Sequence, residues 1–228
     1  MGYHNPMEPD DLHGRLVYYT EAEELVNRCT HGLGTLLSLA GAIALISLAA
    51  EQHDTYRLVS ACIYGGAMIV FYSISTLYHS VRKPYLRYLF NILDHSSIYL
   101  MIAGSYTPFS LVTLRGPVGW SLLAMVWGLG LVGAILKVFT VHRLPTVGPL
   151  IYLALGWSLL FAWKPLSAAL AANGLVLLFA GGAAYTIGVI FYFWDRLPFN
   201  HAIWHLFVLT GSACHFYSIF YYVTPVHL

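Results

Sequence analysis

Seven apolar stretches, each near the ~20 residues that a membrane-spanning helix requires, constrain this sequence more than any motif in it. They run approximately over 25–50, 58–81, 88–113, 118–138, 147–163, 174–194 and 201–223. Charge and proline gather in the gaps: Glu51 and Asp54, Arg82 to Pro84, Arg115 to Pro117, Arg143 to Pro145, Lys164 and Pro165, and Asp195 to Pro198. Only 9% of the 228 residues are charged, against roughly 25% in soluble domains. Charge this sparse cannot cover a water-facing surface, so lipid must be the solvent of most of the chain. The fold class read from this pattern is all-α and polytopic: one seven-helix transmembrane domain over 1–228, multi-pass in a cell membrane. A net charge of +1 provides no field for nucleic acid.

Residues 1–20 are acidic and lack the apolar core of a signal peptide, and they read as a tail on the cytoplasmic side. Thr20 followed by Glu23 is a capping box, so the first helix begins before the bilayer, with Glu21, Glu23 and Glu24 near its positive end. Alternate gaps differ in basic charge. One side carries Arg15, Arg28, Arg82, Lys83, Arg87, Lys137, Arg143 and Arg196; the other carries Arg57, Arg115 and Lys164. The positive-inside rule then places the N-terminus in the cytoplasm and the C-terminus outside. That orientation is opposite to a G-protein-coupled receptor. The last span has no lysine for a retinal Schiff base. Cys29, Cys62 and Cys214 share no close spacing and read as buried packing residues, although Cys62 and Cys214 both fall toward the outer half.

An ionisable group inside a span is costly and marks a functional site by default. Asp94 is the one carboxylate well inside a span, and histidines stand at 31, 79, 95, 201, 205 and 215. On the expected topology His79 ends the second span, Asp94 lies about two turns into the third, and His201 and His205 open the seventh. At 1.5 Å rise per residue, all four fall within roughly 5–10 Å of the inner boundary. His201 and His205, at i and i+4, project from one helix face and can grip one metal ion, the geometry HExxH motifs use for zinc. His79 supplies a third nitrogen. Three histidines with an open position is how catalytic zinc is held, whereas structural zinc takes four protein ligands. Asp94 is placed to orient a water and take its proton. Ser75, one turn deeper than His79, can bond a water or a substrate carbonyl, or its own helix backbone.

The remaining polar residues read as supports. Glu24, Asn27 and His31 form a stripe at i, i+3 and i+7 that can orient the ligands or make structural hydrogen bonds. His95 points about 100° away from Asp94, and His215 lies about 15 Å deeper than His205. His4, His13, His53, His142 and His227 have no partner pattern. Gly128, Gly130, Gly133 and Ala180 to Ala184 are expected to let helices approach closely, and Pro108 is expected to kink the third span.

Four segments together, "EELVNRCTH" at 23–31, "SISTLYH" at 73–79, "LDHSSIYLMIAGSYTP" at 93–108 and "PFNHAIWHLF" at 198–207, resemble the haemolysin III group of the progestin and adipoQ receptor proteins. The resemblance spans nearly the whole chain and implies a seven-helix bundle with one Zn2+ near the cytoplasmic leaflet. It implies His79, His201 and His205 as ligands, Asp94 as the carboxylate facing the zinc water, and Ser75 as the family serine. The wider superfamily includes alkaline ceramidases, which implies hydrolysis of a lipid amide or ester. Haemolysin III proteins are named for red-cell lysis and linked to membrane-fluidity homeostasis, so a sensor, receptor-like or lytic protein with structural zinc is the alternative. Partners on either view are membrane lipids. A proton-coupled transporter is disfavoured, because Asp94 is the single deeply placed charge.

Overall fold

A computed structural model describes residues 16–141, 143 and 146–225. His4, His13, His142, His227 and most of the expected N-terminal tail lie outside them. The described chain is all helix, in seven spans: α1 Glu21–Glu51, α2 Thr55–Tyr78, α3 Pro84–Pro108, α4 Pro117–Thr140, α5 Val147–Ala169, α6 Ala172–Tyr192 and α7 Asn200–Val223. Six are long and apolar enough to cross a membrane by composition; α3, with 25 residues, is long enough but carries the polar run Asp94–His95–Ser96–Ser97. Burial is arranged for a lipid solvent. Leu36, Ile43, Ile135, Phe139, Phe161 and Ile190 lie on the outside, while His31, Ser75, His79 and His205 are inside.

Local chemistry sets the helix limits. The Thr20–Glu23 capping box forms in both directions, Glu23 N–H donating to Thr20 Oγ1 at 3.3 Å and Thr20 N–H to Glu23 Oε2 at 3.0 Å. Asp54 caps α2 by accepting the N–H of Tyr56 at 2.8 Å. Pro84 opens α3, where its missing N–H costs nothing. At Pro108 the missing N–H does matter: the α ladder gives way to a π turn over Phe109–Thr113.

Two expectations are corrected. The break foreseen at Lys164 and Pro165 lies inside α5, which continues to Ala169; Pro165 sits in the first turn of its last segment and is tolerated there. The real interruption is the 3-10 stretch Trp157–Ala162. Tyr106 of α3 mends it. Its hydroxyl lies 3.1 and 2.5 Å from the carbonyl oxygens of Leu155 and Gly156 and accepts the N–H of Leu159 at 2.8 Å. Backbone groups freed within a bilayer need such a partner. The cysteines are free, and Cys29 and Cys62 face outward instead of packing inside, because lipid accommodates a small soft side chain as readily as a core does.

Neighbouring helices pack in sequence from α1 to α4, α6 packs on α7, and α7 returns to α1, closing a ring. Close approach occurs at glycines, though not all those expected. A Cβ on Gly104 would come within 2.5 Å of Ala67 Cβ, and one on Gly65 within 2.8 Å of Ala42 Cβ. Gly128 faces open space, while Gly133 and Gly181 make room for the rings of Tyr99 and His215. Ring closure between α1, α2 and α7 is what assembles the site.

Candidate metal centre

His79 is the residue that ends α2, while His201 and His205 stand in the first two turns of α7. Their imidazoles converge: one ligating nitrogen from each lies within 4.8 Å of the others. Ring centroids are 5.2 Å apart for His79–His201, 5.1 Å for His79–His205 and 4.5 Å for His201–His205. The start of α7 is held by α1. Phe199 precedes it in the left-handed region at φ 59°, a conformation costly without glycine, and its N–H donates to Glu23 Oε1 at 3.0 Å.

Hydrogen bonding fixes which nitrogen two of the rings present. His79 Nδ1 lies 2.7 Å from Glu24 Oε2, and a carboxylate only accepts, so Nδ1 carries the proton. His79 Nε2 is buried and has no hydrogen-bond partner among the described residues. His205 Nδ1 lies 3.1 Å from Thr30 Oγ1, whose own proton is committed to the backbone of α1, so Nδ1 is the donor. Its Nε2 is likewise freed toward the cluster. Outer hydrogen bonds of this kind set tautomer and orientation in metal-binding histidines. Three imidazoles, two of them pre-oriented and one with an orphaned buried nitrogen, fit a divalent metal ion.

Glu24 is shared. Its second oxygen pairs with Arg87 of α3, which is itself buried, donates to the Val17 carbonyl at 3.0 Å and stacks near the rings of Tyr18 and Tyr78. His31 stacks on His205 with centroids 3.5 Å apart. Tyr19 lies over the outer edge of the cluster, 5.0 Å from the His201 ring. The Glu24–Asn27–His31 stripe thus lies directly behind the histidines.

Asp94 and Ser75 are brought together. The Ser75 hydroxyl is within hydrogen-bonding reach of the Asp94 carboxyl. Both line one cavity with His31, His201 and His205. From this polar end the cavity runs outward between α3, α5, α6 and α7, past Ile98, Met101, Phe109, Leu159 and Leu178. Its volume is about 140 Å³. His95 is on the cavity wall outside the triad, with its backbone carbonyl accepting the Tyr152 hydroxyl at 2.9 Å. His215 bonds the Leu178 carbonyl at 3.1 Å and is also outside the triad.

Sequence reasoning did not find Arg87, Thr30 or Tyr19. Arg87 had a signal: with Asn91 and Asp94 it stands at i, i+4 and i+7, on the inward face of α3. Thr30 and Tyr19 had none.

Known proteins match this chain over most of its length. Residues 19–216 match the family model described as Haemolysin-III related. The chain is 49% identical over 203 residues to Hemolysin-3 of Bacillus cereus, covering 89% of this chain and 93% of that one. It is 44% identical over 208 residues to the Hemolysin-3 homolog of Bacillus subtilis (strain 168), covering 91% and 98%. A more distant relative is the Monocyte to macrophage differentiation factor of Homo sapiens, 32% identical over 208 residues, covering 88% and 84%.

Proposed function

The chain belongs to the haemolysin III-related family, and from that membership we propose that it is a zinc-dependent intramembrane hydrolase of a lipid amide or ester. The observation that carries the reading is the junction of a three-histidine cluster and a positioned carboxylate with the polar end of a largely apolar cavity. His79, His201 and His205 would hold the metal, and zinc when bound supplies a Lewis acid at that end. Asp94 would accept the proton of an attacking water, and Ser75 would orient its carboxylate. Glu24 and Thr30 keep His79 and His205 in the tautomer that offers Nε2 inward. The apolar walls of α3, α5 and α6 accommodate an acyl chain and keep water from the rest of the cavity. An acyl chain threaded there places its carbonyl at the histidine end.

The histidines also tie the end of α2 to the start of α7, which favours, as a second reading, zinc that fastens a sensor or lytic membrane protein. Asp94 separates the two. In the hydrolase, Asp94→Asn keeps the zinc and loses about 10²–10⁴-fold in turnover, the worth of a positioned general base. The assay is fatty-acid release from ceramides, acyl amino acids and phospholipids by zinc-loaded protein in bilayers, with metal content measured alongside. No zinc-dependent release from any of these lipids, with zinc present at one per chain, would select the fastener.

A further inference from the structure

Lys137 is the buried cation that the histidine site does not use. It stands near the end of α4, only 4% exposed, at the foot of the buried stripe Leu122, Val126 and Gly130. Among the described residues it forms no salt bridge and no side-chain hydrogen bond. Its ammonium lies 5.6 Å from the centre of the Tyr152 ring. On the same face, in the first turn of α5, a Cβ on Gly148 would sit 2.5 Å from Nζ, 3.3 Å from Cε and 3.8 Å from the Tyr152 hydroxyl. That turn has no side-chain cap. The N–H groups of Val147 and Gly148 belong to the unbonded start of the helix, and Pro149 has none to offer.

A positive helix end facing a buried ammonium is an arrangement of like charges, about +0.5 against +1. Among the described residues no anion makes both favourable. Glycine at 148 is what allows the ammonium to approach the open backbone; any side chain there would displace it. The junction of α4 and α5 lies at the same membrane end as the histidines, since α2 ends there and α3 and α7 begin there.

We infer that Lys137 and the first turn of α5 form a binding site for a phosphate oxyanion at this membrane boundary, separate from the histidine cluster. The chemistry is shared by the phosphodiester of an anionic phospholipid and by free phosphate. The inference does not depend on zinc or on hydrolysis.

The test uses full-length zinc-loaded protein. After extraction from vesicles of phosphatidylglycerol and phosphatidylcholine, native mass spectrometry counts retained lipid; in detergent, thermal stability is followed against inorganic phosphate. Wild type should retain phosphatidylglycerol over phosphatidylcholine. Lys137→Gln and Gly148→Ala should each lose that preference by about tenfold, the worth of one charge-assisted contact, with zinc unchanged. Gly148→Ala keeps the charge, so it decides the matter if Lys137→Gln fails to fold. Phosphate stabilisation that needs Lys137, without lipid retention, supports the site with free phosphate as its ligand. Equal lipid retention and equal phosphate response in wild type and Gly148→Ala overturns it.

Discussion

Glu24 bonds His79 with one carboxylate oxygen and Arg87 with the other, joining α1, α2 and α3 at one point. Its charge does two things: it orients an imidazole and neutralises a buried guanidinium. Glu24→Gln is therefore expected to weaken metal binding by about 10–100-fold, measured by competition with a chelator. The same change leaves Arg87 uncompensated, so the metal-free protein should also lose stability, by up to about 3–5 kcal/mol. Unchanged metal affinity would mean that His79 is held by packing alone. The triad itself was readable from the i, i+4 spacing of His201 and His205 and from the depth of His79. The pairing of Glu24 with Arg87 was not, because it joins residues 63 apart whose proximity exists only once α1 and α3 are packed. Ser75 shows the same limit: its distance from Asp94 depends on the packing of α2 against α3.

At the scale of the helix, the ends opposite the histidines are fastened by charge. Asp54 caps α2 and accepts Arg115 at 2.8 Å, and Arg57 Nη1 donates to the carbonyls of Val223, Thr224 and Pro225 at 2.5, 2.7 and 2.9 Å. Partial burial raises the Asp54 carboxyl, but the hydrogen bonds from Arg115, Tyr56 N–H and Arg57 N–H outweigh it, holding the group below the usual carboxylate range. A depressed folded-state pKa adds stability above the unfolded value, about 3.9, and that stability is lost as pH falls through the folded value. Asp54→Asn preserves the cap but not the charge. Its melting temperature should lie below wild type near neutrality, by about 2 °C or less for so exposed a partner, and the gap should close below about pH 4. A gap constant with pH would show that the charge contributes nothing. Helix existence was legible from hydropathy, because lipid demands an apolar exterior. The interruption of α5 was not, since its repair by Tyr106 is a tertiary contact that leaves no local mark.

For the whole molecule, the asymmetry of basic charge bears on orientation. Arg87 and Lys137, counted from sequence as loop-side charges, are buried inside the bundle. Setting them aside leaves Arg15, Arg28, Arg82, Lys83, Arg143 and Arg196 against Arg57, Arg115 and Lys164, with Arg15 outside the described residues. The bias survives, and seven spans put the two ends on opposite sides. Reporters fused at residues 1 and 228 are expected to report a cytoplasmic N-terminus and an external C-terminus. Both reporters on one side would mean that one of the seven helices does not cross.

The histidine cluster joins the end of α2 to the beginning of α7, with α1 packed behind both. A chain made from its N-terminus delivers His79 to the membrane long before the ribosome reaches His201. Until then α1 and α2 hold one of the three histidines, with Glu24 already within reach of its imidazole. On the proposed function, metal capture can follow only after the last helix has inserted and docked on the first. A ribosome that stops before residue 200 leaves a membrane-inserted product that cannot load, and the loaded metal becomes a record that synthesis was completed.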